Sequence, residues 1–122
     1  MNTLPKSERL HGKTTISALM SKGRWGHTSA LKYCYLAGEG SDDAPAANRM
    51  MVSVPKKLFK RAVKRNLLKR RLREAYRTSK DLLPQTGASI MFLYGTDRIL
   101  EADEIKEHVT RIMKSLSDER QQ

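Results

Sequence analysis

The chain has 122 residues, 39% of them hydrophobic and 30% charged, and 24 Lys or Arg outnumber 13 Asp or Glu for a net charge of +11. This length predicts a single domain, residues 1–122, that can bury its own hydrophobic core. No apolar run could cross a membrane, no secretion signal opens the chain, and the single cysteine, Cys34, excludes an internal disulfide, so a reducing, cytoplasmic location is expected.

The first predicted element is a short helix. Ile16, Leu19 and Met20 follow the i, i+3, i+4 spacing of one helix face. Gly23 comes next and is a typical helix stop. The sequence therefore predicts a helix over about 13–21.

Three strands are predicted in the middle of the chain. Apolar and aromatic residues alternate with others over 31–36, with Tyr33 and Tyr35 in one of the two alternating sets. Segments 49–54 and 88–94 are short apolar runs bounded by Pro or Gly, which is typical of buried strands. The stretch 38–48 between the first two is rich in turn-forming residues and is predicted to be a mobile loop.

The C-terminal segment predicts an amphipathic helix. Its acidic first turn suits the helix dipole. Such an apolar stripe can bind a partner or pack on the sheet, and we favour packing. The stripe consists of Ile105, Val109, Ile112, Met113 and Leu116.

Nearly all of the excess charge lies in residues 56–77, which read KKLFKRAVKRNLLKRRLREAYR and contain 11 Lys or Arg and one acid, Glu74. Helical periodicity places a basic row at i, i+4 spacing, extended by Asn66 and Arg70. The row is Arg61, Arg65, Lys69, Arg73 and Arg77. The opposite side is predicted to face the core through Leu67, Leu68, Leu72 and Ala75. Lys64 and Arg71 fall inside the apolar arc and are expected to reach solvent on their aliphatic stems.

This charge pattern favours a nucleic-acid partner. Four successive like-charge pairs cost about 1–2 kcal/mol in total, at roughly 0.2–0.5 kcal/mol each, so a merely solvated face would intersperse acids. A membrane-surface helix would expose large apolar side chains opposite the charges. Arg matches phosphate oxygens with paired donors, and Asn66 can hydrogen-bond a base or a ribose. We favour RNA over DNA because the helix offers little variety for reading bases.

The stretch 62–77, which reads AVKRNLLKRRLREAYR, resembles the protein component of bacterial ribonuclease P. That family carries A-V-x-R-N-x-x-K-R-x-x-R-E on its long helix, preceded by S-V-x-K-K. The matching residues here are Ala62, Val63, Arg65, Asn66, Lys69, Arg70, Arg73 and Glu74, preceded by Ser53, Val54, Lys56 and Lys57. The opening LPKSERL (4–10) also resembles the family's N-terminus.

The resemblance implies an α+β fold with the order α-β-β-β-α-β-α. It implies a two-layer sandwich with a central four-stranded sheet and a left-handed crossover, the arrangement called ribosomal protein S5 domain 2-like. Such a crossover departs from the usual right-handed rule. A fourth, short strand is then expected near 25–28.

The resemblance also implies the function. The holoenzyme is an endoribonuclease that removes the 5′ leader of precursor tRNA, and catalysis belongs to an RNA subunit with bound Mg²⁺. The residues expected to bind that RNA are Lys56, Lys57, Arg61, Arg65, Asn66, Lys69, Arg70, Arg73 and Arg77. The leader is expected in a cleft between the N-terminal helix and the sheet, lined by Ile16, Met20, Tyr33 and Tyr35. Two departures are Leu67, where many members have Arg, and the absence of Phe from the first helix.

No catalytic or metal site is expected in the chain itself. A protein nuclease needs paired carboxylates or a His acid–base pair, and His11, His27 and His108 lack metal-ligand spacing. Cys34 is expected to be a small apolar side chain. No obligate protein partner and no membrane contact are expected. The alternative is a structural RNA-binding protein, such as a ribosomal protein or an RNA chaperone, with no part in cleavage.

Overall fold

The computed structural model describes Leu10 and residues 12–37, 48–83 and 87–120, the side chains of the last two residues excepted. The elements follow the predicted order. They are α1 (Lys13–Lys22), β1 (Arg24–His27), β2 (Leu31–Leu36), β3 (Arg49–Ser53), α2 (Ala62–Ser79), a 3₁₀ turn (Lys80–Leu82), β4 (Ser89–Tyr94) and α3 (Ala102–Arg120). The predicted loop lies outside the described residues except for Asn48, as do His11 and residues 4–9.

The four strands form one mixed sheet in the order β1-β2-β4-β3. Strand β2 is antiparallel to both β1 and β4, whereas β3 and β4 are parallel. Parallel neighbours need a crossover, and α2 lies in that connection. The α+β class with a four-stranded sheet is therefore confirmed.

The larger core lies between the sheet and the pair α2 and α3. Strand β4 contributes Ile90, Phe92 and Tyr94 to this core, which are at most 1% exposed. The Tyr76 ring of α2 meets the Phe92 ring at a centroid distance of 6.2 Å. All five apolar residues of the predicted C-terminal stripe are buried in the same core. Packing of this helix, rather than an exposed partner-binding stripe, is confirmed.

Helix α1 covers part of the opposite face of the sheet. Leu19, Cys34 and Met91 are buried together there, and the Cys34 thiol donates to the Leu19 carbonyl at 3.2 Å. Burial raises the pKa of the Cys34 thiol, which is consistent with an apolar packing role. Gly23 is the extended C-cap of α1, and a side chain does not fit there because a Cβ atom would lie 2.5 Å from the Cys34 sulfur.

Within the described ranges, none of the helices combines the length and apolar content that crossing a bilayer requires.

Candidate nucleic-acid interface

Helix α2 presents a basic arc on the side opposite its buried residues. Its buried side chains are Leu68, Leu72, Ala75, Tyr76 and Ser79. Asn66, Arg70 and Arg73 lie about 120–180° around the helix from the centre of this set and are exposed. Side chains at i, i+4 and i+7 therefore form one accessible strip of two guanidinium groups and one amide.

The basic row predicted from the sequence does not stay on this strip. Four residues turn an α-helix by about 400°, so each step of the row advances about 40°. Arg65 and Lys69 thus begin near the buried side and are half-buried, while Arg73 is exposed. The prediction that all five positions share the exposed side is wrong for Arg65 and Lys69.

Arg65 holds the loop that precedes α2. Its Nη1 donates to the carbonyl oxygens of Phe59 and Lys60, both at 2.8 Å. The Phe59 side chain is buried and meets the Tyr94 ring edge-on at 5.7 Å. The two Arg65 hydrogen bonds form a clamp, and with the buried Phe59 ring they hold the loop on which Lys56 and Lys57 are exposed. Arg65 positions basic residues as well as supplying charge.

We expect Arg65→Lys to weaken RNA binding although the charge is kept. A lysine presents a point charge in place of the planar fork, so it cannot reproduce the geometry that holds both carbonyls. The free energy of unfolding should fall by about 1–2 kcal/mol, because hydrogen bonds from charged donors contribute roughly 1.5–3 kcal/mol when buried. Denaturant unfolding and an RNA binding isotherm on the same variant test this.

Lys69→Arg, one turn further along, is the matched control for that variant. This variant also keeps the charge, but it replaces Lys by Arg. Lys69 is half-buried, and within the described ranges the structure shows no hydrogen bonds from it to loop carbonyls. If Arg65→Lys binds RNA and unfolds like the unmodified chain, the clamp has no role.

Arg71 also ends on backbone. Its Nη1 donates to the Leu100 carbonyl at 2.6 Å, and the Leu100 amide donates to the Tyr94 hydroxyl at 2.9 Å. The Tyr94 hydroxyl in turn donates to the Arg98 carbonyl. The expectation that Arg71 extends to solvent is wrong, because the loop before α3 offers a carbonyl within its reach. Lys64, in the first turn, is exposed as expected.

One arginine of α2 is paired with a carboxylate. Arg77 donates to Glu74 through Nε at 3.0 Å and through Nη2. This hydrogen bond is the main reason that the pKa of Glu74 lies below its ordinary value. Within the described part of the chain, no carboxylate lies at ion-pair distance from the other α2 cations. The positive charge of Arg70 and Arg73 is therefore not neutralised by the fold.

The two tyrosines expected in the leader cleft face the wrong way. Tyr33 is opposite Phe92 and Tyr35 is opposite Ile90, and cross-strand partners share one face of the sheet. That face is covered by α2 and α3, and Tyr35 is only 5% exposed. The prediction of Tyr33 and Tyr35 as cleft residues is wrong because alternation alone does not say which set faces α1.

The side of the sheet that α1 partly covers is lined by the other set. Lys32 is opposite Leu93, which is opposite Ser53, so these three cross the sheet in one row. Ile16 of α1 is half-buried, and Met20 is 49% exposed. Lys32 and Leu93 were not among the residues predicted from the sequence, although the period of two could have identified them as the alternative set.

In the described part of the chain, the histidines and carboxylates do not assemble into a metal site. His27 is exposed, while the His108 Nδ1 lies 2.8 Å from the Thr28 hydroxyl. Among the residues the structure describes, no three His, Cys, Asp or Glu side chains are grouped as a metal site requires. The absence of a catalytic centre from the whole chain stays a prediction.

Comparison with known proteins gives a consistent result. The family model described as Ribonuclease P matches residues 4–117. A ribonuclease P protein component from Porphyromonas gingivalis is 40% identical over 102 residues, covering 79% of this chain and 73% of that one. One from Chlorobaculum tepidum is 33% identical over 132 residues, covering 98% of this chain and 86% of that one.

Solved structures share the fold. The RNase P protein from Thermotoga maritima has a TM-score of 0.74 at 19% identity, covering 88% of this chain and 96% of that one. The RNase P protein from Staphylococcus aureus has a TM-score of 0.73 at 20% identity, covering 91% and 96%. At this identity the likeness extends to the backbone arrangement alone.

Proposed function

Because this chain belongs to the ribonuclease P protein family, as its protein component, we propose that its basic surface binds the catalytic RNA subunit and that the α1 side of its sheet receives the 5′ leader of precursor tRNA. The holoenzyme of the family is an endoribonuclease for tRNA 5′ maturation. A structural RNA-binding protein without a part in cleavage is therefore not retained as the function.

The observation that carries the proposal is a basic surface along α2 and the loop before it, for which the described residues offer no carboxylate partner. Arg70 and Arg73 on the helix, and Lys56 and Lys57 on the clamped loop, are exposed. Helix α2 has no acidic residue in its first turn and no side-chain cap at Arg61. Phosphates relieve such repulsion because they are negatively charged, and each Lys or Arg contact also releases a counterion condensed on the RNA. Many family members have Arg where this chain has Leu67. Arg70, rather than Arg71, supplies the RNA contact that such an arginine would make.

The proposed leader site uses apolar and basic groups in place of tyrosines. Ile16, Met51 and Leu93 each pack against the buried cluster that contains Leu19, and together they give an apolar surface beside α1. Lys32 is exposed on the same face and supplies positive charge. Apolar contact with bases combined with charge for the backbone suits a single strand read without strict sequence preference.

The chemistry is assigned to the RNA subunit with its Mg²⁺ ions. Mg²⁺ prefers oxygen ligands and keeps several waters, so it is held by carboxylates or phosphates in near-octahedral geometry. The described residues contain no group of three or more His, Cys, Asp or Glu side chains that could hold such an ion. The protein's part is to hold RNA and leader, and the cytoplasmic location expected from the sequence stays a prediction.

The salt dependence of binding tests this proposal. If 6–8 phosphates are neutralised, the logarithm of the association constant for the catalytic RNA should fall with the logarithm of salt at a slope of roughly −4 to −7. A slope flatter than about −2 would show that the basic surface is not the anchor. In the companion assay, protein added to that RNA at low Mg²⁺ should accelerate leader removal, and no acceleration would contradict the subunit role.

A further inference from the structure

Trp25 is an exposed indole in a chain that otherwise buries its aromatic rings. All seven Phe, Trp and Tyr residues lie in the described ranges, and the other six are buried or half-buried. Trp25 is 51% exposed on the edge strand β1. An exposed indole offers a flat face on which another ring can stack.

The strand register places Trp25 on the α1 side of the sheet. Its cross-strand partner is Cys34, whose thiol lies under α1 and donates to the Leu19 carbonyl. Two residues on, His27 is opposite Lys32, so both belong to the same face. Trp25 therefore lies beside α1, one strand outward from the proposed leader site.

The surroundings of the indole are positively charged. Residues 12–37, which span α1, β1 and β2, contain four Lys or Arg and no Asp or Glu. Lys22 and Lys32 are exposed on either side of the indole along the chain. Lys32 is diagonal to Trp25 across the strand pair, a spacing of about 7–8 Å that long side chains bridge. An exposed aromatic face with cations around it is the combination that binds single-stranded nucleic acid.

We infer that the Trp25 indole stacks on an unpaired base of the 5′ leader where that strand leaves the α1 side of the sheet and crosses the free edge of β1. This inference rests on the proposed leader binding and adds a base-stacking site beyond it. Lys22 and Lys32 contact the flanking phosphates. An anionic membrane surface or a second copy of this chain could also bind an exposed indole, and the experiment distinguishes both from the leader.

The test uses the full chain assembled with the catalytic RNA, and two precursor tRNAs with leaders of one and about ten nucleotides, since such single-strand sites span roughly 4–16 nucleotides. Trp25 is the single tryptophan, so its emission reports on this position in the unmodified protein. We expect the long leader to quench the emission and the short leader to leave it unchanged. Trp25→Ala should weaken binding of the long-leader substrate on the order of tenfold, leave the short-leader substrate unaffected, and keep the thermal midpoint.

Trp25→Phe should retain most of the long-leader affinity, and Leu82→Ala, an exposed apolar residue after α2, should retain all of it. The inference is overturned if Trp25→Ala affects both substrates alike or neither, while the unmodified protein still distinguishes them. It is also overturned if anionic phospholipid vesicles or self-association, and not the leader, change the emission. If the unmodified protein does not distinguish the two leaders, the proposed leader binding itself fails.

Discussion

Replacing Arg70 and Arg73 together by alanine should weaken binding of the catalytic RNA about a hundredfold, because charge-assisted contacts contribute roughly 1.5–3 kcal/mol each before solvent screening reduces them. Both side chains are exposed, and neither is paired with a described carboxylate. The salt slope of binding should become shallower by about 2, one for each phosphate that is no longer neutralised. Filter binding or fluorescence anisotropy across a salt series measures both quantities.

The same double variant should not lose stability. Arg70 and Arg73 are three residues apart on one helix face, so their removal relieves a like-charge pair that costs roughly 0.2–0.5 kcal/mol. We expect the free energy of unfolding to stay equal or rise slightly while RNA affinity falls. This opposite movement separates a binding role from a structural one.

The matched control removes two charges elsewhere. Arg111 and Lys114 are exposed on α3, where Arg111 lies 3.3 Å from Glu107. Arg111→Ala combined with Lys114→Ala gives the same change in net charge outside the proposed surface. If this control weakens RNA binding as much as the α2 variant, overall charge rather than the α2 strip anchors the RNA.

Phe59→Ala should be among the most destabilising substitutions in the chain. Phe59 is 7% exposed, and the centroid of its ring lies 5.7 Å from that of the Tyr94 ring. Truncation of a buried Phe costs about 3–5 kcal/mol, which is a large part of a typical stability of roughly 5–15 kcal/mol. Thermal unfolding should show a midpoint lowered by about 12–20 °C.

Phe59→Ala should also lower RNA affinity at temperatures where the variant is folded. Phe59 anchors the loop that carries Lys56 and Lys57, and its carbonyl accepts from Arg65. Ile112→Ala, a buried truncation in α3, should destabilise the chain without this effect. Phe59→Leu should recover most of the stability and affinity. Equal affinities for folded Phe59→Ala and Ile112→Ala would contradict an anchoring role.

Much of the fold could be predicted because it depends on contiguous residues. The period of 3.6 predicted the helices α2 and α3, and the period of 2 predicted β2 over residues 31–36, as observed. The location of the basic segment is equally local, since charge can be counted along the chain. The family motif supplied the short strand β1, whose four residues carry too little periodicity to be found otherwise.

The position of the proposed leader site could not be predicted in the same way. Alternation over 31–36 defines two sets of side chains, and exchanging the faces leaves the pattern unchanged. The hydrogen bond of Cys34 to Leu19 shows that Lys32, and not Tyr33, lies on the α1 side of the sheet. Trp25 was likewise overlooked, because its exposure depends on β1 being an edge strand.

By itself, the sequence determined that a basic helix would lie between the last two strands, because helical period and charge are properties of neighbouring residues. Only the tertiary structure decided which arginines remain available to a ligand. Within the described residues, Arg65 and Arg71 donate to carbonyls of Phe59, Lys60 and Leu100, and Arg70 and Arg73 do not. Packing brings those loop carbonyls to the helix, and no local pattern encodes their distance.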